Sequence, residues 1–309
     1  GLLCRNCKSV TAFEHSPKRA EIIRCRYTDY SNLNVICGDI FSYDFQEKYD
    51  YILLIGVLEY VGINSYSENP YTDILNKIYS LLKPDGVLLL AIENRFGLKY
   101  WCGAAEDHTG IPFDGISGYQ KNSYTSRYQK SGVRTFSRDT LDNYLKICGF
   151  KQNKWFYPLP DYKFPTAVFS DEHLPQITDV QNIKFNYAQE SQLVADERNL
   201  YTDIIDNNVF PFFANSFLIE AHKGKDNFSK INYASLKRDY KSEYRLATIV
   251  TNEKEVFKKC IGKFSLSHLK QFISNTQNLH QRHINILSLS EHGDSISQQW
   301  QNYPRADVV

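Results

Sequence analysis

"YTDILNKIYSLLKPDGVLLLAIEN", residues 71–94, contains a helix, its stop and the strand that follows. Ile74, Leu75, Ile78, Leu81 and Leu82 recur at helical spacing. Lys83-Pro84-Asp85-Gly86 ends the helix, because proline cannot continue it and glycine turns the chain. "VLLLAI", residues 87–92, has strand length and an unbroken apolar run, which suits burial on both faces of a sheet. "DYILLIGVLEYV", residues 50–61, has the same character ahead of the helix. Strand, helix and strand in this order predict a parallel pair joined by a crossover.

The same rhythm extends in both directions. "NLNVICGD" (32–39) is a strand that stops at Gly38-Asp39, and "SVTAF" (9–13) is a strand that ends in Glu14. The opening "GLLCRNCK" reads as a short helix, the middle of a βαβ unit. "SRDTLDNYLKICGF" (137–150) is a helix with Ser137 as N-cap, Asp139 in its first turn and Gly149 at its end. "NKWFYPL" (153–159) and "NSFLIEAHK" (215–223) are further strands. "DYKFPTAVFSDEHLP" (161–175) reads as an irregular connector, and "QLVADERNLYTDIIDNNVF" (192–210) as a helix. The fold class is α/β, a doubly wound Rossmann-like sheet. Residues 93–136 break the period and form a long aromatic-rich lid insertion. The polar stretch 224–239 reads as a linker; beyond it, "YRLATIVTNEKEVFKKCI" (244–261) is two strands about a turn and "SLSHLKQFISNTQNLHQRH" (265–283) a helix.

Composition narrows the function classes. The 309 residues are 42% hydrophobic and 23% charged, with a formal net charge of +1. That balance gives no bulk field toward nucleic acid or an anionic membrane. No apolar run approaches the roughly 20 residues of a membrane span. No basic-then-apolar leader opens the chain, and the expected compartment is the cytoplasm. The sequence has no Met and seven Cys, at 4, 7, 25, 37, 102, 148 and 260. Their odd number and spacing suggest free thiols in a reducing compartment. "CRNC" (4–7) has metal-type spacing, but no second pair completes a tetrahedral set, so no metal is assigned.

Open α/β sheets bind ligands at the carboxyl ends of their strands. The residues there are Glu14, Asp39, Gly56 to Tyr60, and Glu93-Asn94-Arg95. Glu14 suits two ribose hydroxyls, and Asp39 an adenine amino group. Each is also a natural turn or cap acid; together, in this order, they point to an adenosine-bearing ligand. One alternative is a nicotinamide-dinucleotide oxidoreductase, which also calls for an acid after the second strand; the other is a non-catalytic binding module.

The succession "VTAFEHS", "NVICGD", "DYILLIGVLEYV" and "LLKPDGVLLLAIEN" resembles the class I S-adenosylmethionine-dependent methyltransferases. "AIENRFGLKYWCGAAEDHTG", "FDGISGY", "GVRTFSR" and "YPLPDYKFPT" resemble a bacterial subgroup associated with surface-polysaccharide synthesis, with a kinase-like part after the methyltransferase. The resemblance implies S-adenosylmethionine as cofactor, held by Glu14, Asp39, Gly56 and Tyr60. It implies a seven-stranded sheet with "NKWFYPL" and "NSFLIEAHK" as the last two, antiparallel strands. It implies methyl transfer to an oxygen of a glycan or glycan-linked phosphate, and association with glycosyltransferases. It places the family's first strand and Gly-rich loop before Gly1, so residues 1–309 alone are expected to bind cofactor weakly. The expected organisation is a methyltransferase domain over 1–223, a linker over 224–239 and a partial kinase-like N-lobe over 240–309.

Two sets of side chains could carry chemistry. In the lid, His108 beside Asp107 could serve as a general base, while Asn94, Arg95, Lys99 and Glu106 could hold an anionic or polar acceptor. The competing reading is that these charges pin the lid. In the last part, Val256-Phe257-Lys258 looks like the strand with the phosphate-binding lysine of a kinase-like lobe. No Glu in the following helix pairs with Lys258, and no Gly-rich loop precedes the hairpin. "HGD" (292–294) lies 36 residues after Lys258 at its Asp, too close for a catalytic loop, and reads as a surface turn.

Overall fold

The structure, a computed structural model, describes residues 1–63, 67–119, 133–181, 183, 185, 193–224, 227–236 and 246–260. Its strands are β1 (Val10–Glu14), β2 (Leu33–Cys37), β3 (Tyr49–Ile55), β4 (Leu82–Glu93), β5 (Asn153–Leu159), β6 (Ala167–Ser170), β7 (Ser216–His222), β8 (Ile231–Leu236), β9 (Leu246–Thr251) and β10 (Val256–Cys260). Its helices are α1 (Leu2–Asn6), α2 (Pro17–Arg26), α3 (Pro70–Leu81), α4 (Leu98–Trp101), α5 (Arg138–Ile147), α6 (Ile177–Val180), α7 (Glu197–Asp206) and α8 (Phe210–Phe213).

The helix-to-strand switch lies where its sequence puts it. α3 ends at Leu81 and β4 takes over, parallel to β3. α3 buries Ile74, Leu75, Ile78 and Leu81 on one face. α5 packs beside it with Leu141 and Leu145 inward, and the Ser137 side chain accepts from the Thr140 amide. Gly149 closes that helix at φ +102°, and a Cβ there would stand 2.9 Å from the Tyr79 ring. Leu88, Leu90, Trp155, Tyr157, Phe169 and Phe217 from the sheet complete the core beneath these helices.

The larger sheet has eight strands in the order β10-β9-β8-β6-β5-β7-β4-β3. The two strands expected last, β5 and β7, do pair antiparallel, with β7 inserted between β4 and β5. The fold is thus α/β with a mixed sheet. β1 and β2 pair in parallel as a separate two-stranded sheet, with Glu14 opposite Cys37.

Three expectations need correction. β3 is not buried on both faces: Tyr51, Leu53 and Ile55 are 63%, 42% and 42% exposed while Leu54 is buried. Side chains alternate across a strand, and no described element covers the face carrying the odd-numbered set. The connector after β5 contains a strand, β6, which carries the sheet onward to β8. The stretch 224–239 is not a plain linker, because β8 lies in it and is hydrogen-bonded to β6 and β9. The two strands about the turn before residue 261 form as expected, as the β9–β10 hairpin with Lys258 opposite Thr248. The helix 265–283 and the turn 292–294 lie outside the described residues.

Candidate active site

The carboxyl ends of β3 and β4 converge on a cluster of charged side chains. The chain leaves β3 at Gly56, whose φ is +63°. The Tyr162 hydroxyl lies 2.6 Å from where a Cβ on Gly56 would stand, so only glycine fits beneath that ring. A single 3-10 turn, Leu58–Tyr60, then points Glu59 inward, 1% exposed. β4 ends in Glu93, which is fully buried. The segment after β5 brings Asp161, Tyr162 and Lys163 over both strand ends, and the Lys163 Nζ lies 2.5 Å from Glu93 Oε1.

The lid segment after α4 contributes His108 and its support. Glu106 is buried and wholly engaged. Its Oε2 accepts from the His108 and Thr109 amides at 2.8 and 2.7 Å. Its Oε1 contacts His108 Nδ1 at 3.1 Å and accepts from the Tyr119 hydroxyl at 3.0 Å. Nε2 of the same ring faces Glu59 Oε1 at 3.9 Å. The Tyr60 ring meets the imidazole edge-on, centroids 5.3 Å apart.

Electrostatics follow from this burial. Desolvation pushes the Glu59 carboxyl up to about 7, and neighbouring Glu93 adds to the rise. Burial opposes the charge of Lys99, but the carboxylates of Asp107 and Asp161 outweigh it and hold the ammonium above its usual value. Burial alone would raise Glu106; the hydrogen bond and charge of His108 and the two amides bring it below the usual carboxylate range.

Several sequence expectations change here. Asp107 does not orient His108. It takes Lys99 Nζ at 2.6 Å and the Tyr100 hydroxyl at 3.1 Å, and Glu106 orients the imidazole instead. Lys99 is spent on Asp107 and Asp161, so it offers no charge to an acceptor. Glu106 is likewise consumed inside the lid. Asn94 is a pin: its Nδ2 donates to the Phe212 and Ala214 carbonyls and its Oδ1 accepts from the Phe96 amide. Arg95 stacks on Phe96 at 4.6 Å, and its buried Nε has no hydrogen-bond partner among the described residues. Tyr60 is 46% exposed at the rim. Asp161 and Lys163 lie in the family-like stretch 157–166 and Glu59 and Glu93 at strand ends, but none of the four stands out there as a site residue.

On the smaller sheet, Glu14 and Asp39 stand at the same end of parallel strands. Glu14 Oε1 accepts from the Ser16 amide, and its Oε2 has no partner among the described residues. Asp39 is chiefly a turn cap. It accepts from the Ser42 hydroxyl at 2.6 Å and from the Phe41 and Ser42 amides, and the Ser42 hydrogen bond does most to lower its pKa.

Residues 1–90, which include both these acids and the α3 switch, match the model of a methyltransferase domain. This stretch resembles a methyltransferase domain. A methyltransferase domain is an enzyme domain, and the match makes S-adenosylmethionine the expected cofactor. No curated protein matches the chain. Similar solved structures include the N-methyltransferase NodS from Bradyrhizobium japonicum WM9 in complex with S-adenosyl-L-homocysteine. It has 19% identity and a TM-score of 0.27, covering 30% of this chain and 46% of that one. The CurJ carbon methyltransferase has 15% identity and a TM-score of 0.37, covering 70% and 42%. An S-adenosylmethionine-dependent methyltransferase from Thermotoga maritima has 18% identity and a TM-score of 0.37, covering 69% and 72%. The matched regions span less than half the length of the first two. Among the described residues, no helix is long and apolar enough to cross a membrane.

Proposed function

We propose that the protein transfers a methyl group from S-adenosylmethionine to an oxygen of a glycan or glycan-linked phosphate in surface-polysaccharide synthesis. The observation that carries the reading is Glu14, at the end of β1 in the matched domain, with a carboxylate oxygen free for a ribose hydroxyl. The cofactor supplies a methyl group on a sulfonium, open to in-line attack. The chain's part is to hold and orient. Glu14 anchors the ribose, with Asp39 shaping the neighbouring loop. Arg95, whose buried Nε has no hydrogen-bond partner among the described residues, holds a phosphate or other anion on the acceptor. The acceptor oxygen is activated at the cluster of Glu59, Glu93 and His108, where Glu106 fixes the ring.

The uncovered face of β3 and the separate β1–β2 pair support a further part of the same reading. A parallel strand with its glycine turn, lying between β1 and β3, would join the two sheets and complete the cofactor pocket. The kinase-like reading of Lys258 and association with glycosyltransferases in the cytoplasm belong to this proposal too.

Methyl transfer from labelled S-adenosylmethionine by the full-length protein tests the acceptor class. Label should enter a phosphate-bearing glycan at least about tenfold faster than its dephosphorylated form, as expected where a charge-assisted contact is lost. Equal rates on both would remove Arg95 as an anion holder. Label entering protein or nucleic acid instead would overturn the glycan reading.

A further inference from the structure

We propose that Glu59, Glu93 and His108 form a binding site for one divalent first-row cation such as Mn2+. Their candidate ligand atoms all lie within 4.8 Å of one another. Three ligands each about 2.1 Å from one ion stand roughly 3–4 Å apart, so small side-chain movements close the site.

Three observations go beyond an acidic cluster. First, Glu59 Oε2 and Glu93 Oε2 are buried without any hydrogen-bond partner among the described residues, in side chains 2% and 0% exposed. Buried carboxylate oxygens are ordinarily satisfied, and two left open at one point call for a cation. Second, His108 is prepared as a ligand. When Nδ1 donates its proton to Glu106, the neutral ring carries its lone pair on Nε2, and Nε2 is the atom turned toward Glu59. A carboxylate behind a histidine in this way fixes its tautomer and strengthens it as a metal ligand. Third, the neighbouring group of Glu93, Asp107 and Asp161 shows the contrast. There the Lys99 ammonium already stands between two of the carboxylates, 2.6 Å from Asp107 and 3.7 Å from Asp161. Among the described residues no ammonium stands within ion-pair distance of Glu59; Lys163 bonds the other oxygen of Glu93.

Charge and donor type agree with that occupant. Once a bound cation ionises Glu59, the three carboxylates of Glu59, Glu93 and Glu106 bring three negative charges and Lys163 one positive, so a divalent ion with neutral His108 balances the cluster. Two carboxylates and one imidazole suit Mn2+, Fe2+ or Zn2+, and three protein ligands leave positions open. The binding claim stands on this geometry alone. Its use in catalysis rests on the methyl-transfer reading. An acceptor hydroxyl on an open position loses its proton to solvent more readily. The oxygen's electron pair then forms the bond to the methyl carbon as the carbon–sulfur bond breaks and its electrons stay on sulfur.

Mn2+ is the probe of choice, because thiolates such as those of exposed Cys7 and Cys25 compete poorly for it. The full chain is titrated with Mn2+ alone, without cofactor or acceptor, by loss of the free-ion paramagnetic resonance signal. The expected result is one ion per chain. Glu59→Gln and Glu93→Gln should each weaken it at least about tenfold, with the near-ultraviolet circular dichroism unchanged. Lys163→Gln should strengthen it several-fold by removing a competing cation, a gain that misfolding cannot mimic. No binding up to millimolar Mn2+, or binding indifferent to all three substitutions, would overturn the site. Methyl transfer that fails while Mn2+ still binds would count against the proposed function only.

Discussion

His108→Ala in the full-length protein will lower the rate of methyl transfer at least about 100-fold and leave S-adenosylmethionine affinity within about threefold. The separation follows from where the groups lie. The proposed ribose anchor, Glu14, lies on the β1–β2 sheet, whereas His108 reaches into the strand ends of β3 and β4 from the lid. Removing the imidazole takes away the nitrogen that faces Glu59 in the cluster, along with the group that Glu106 holds. Single-turnover rates and equilibrium cofactor binding, measured on the same preparation, check it. An unchanged rate would remove His108 from the chemistry. A parallel loss of cofactor affinity would make it part of the cofactor pocket instead.

Glu106→Ala is expected to cost about 3–5 kcal/mol of folding stability, the largest single effect outside the apolar core. The carboxylate is 1% exposed and serves four donors: two amides, the His108 ring and the Tyr119 hydroxyl. Alanine supplies no acceptor and leaves the segment 106–109 without its turn. Each orphaned donor in a buried place costs about 1 kcal/mol or more. Tyr119 retains Thr135 as a partner, which tempers the loss. Urea denaturation measures the difference. A loss under about 1 kcal/mol would mean that the lid is not held by Glu106.

Local patterns in the chain foretold the elements built from long periods. α3 and β4 were legible because five apolar residues at helical spacing meet a proline-glycine stop. α5 was legible because Ser137 and Gly149 mark its ends. β6 was not, since a four-residue strand between Pro165 and Asp171 shows no period. β8 was not, because "INYASL" is half polar and pairs on both sides through its backbone. β3 looked fit for burial on both faces, but burial depends on what packs above a strand and not on its own side chains.

In the site, sequence adjacency misled. Asp107 is next to His108 in the chain, yet successive residues in a turn point apart, and Asp107 turns to Lys99 and Tyr100. Glu106, two residues back, is the position from which a carboxylate can wrap around and meet both the ring and the amides. Glu59, Glu93 and Lys163 meet His108 only through the fold: a 3-10 turn, a strand end and a loop after another strand bring them together. The charges of the lid divide accordingly. Asn94, Lys99 and Asp107 serve the architecture, while His108, Glu59, Glu93 and Arg95 are the ones proposed to take part in the chemistry.

Cofactor titration of the full-length protein tests the central claim most directly. Calorimetry with S-adenosylmethionine and, separately, with NAD should show the former bound at least about tenfold more tightly. Glu14→Ala should weaken S-adenosylmethionine at least about tenfold, the loss of a charge-assisted hydrogen bond to the ribose. NAD bound more tightly than S-adenosylmethionine, or S-adenosylmethionine affinity indifferent to Glu14, would contradict the account.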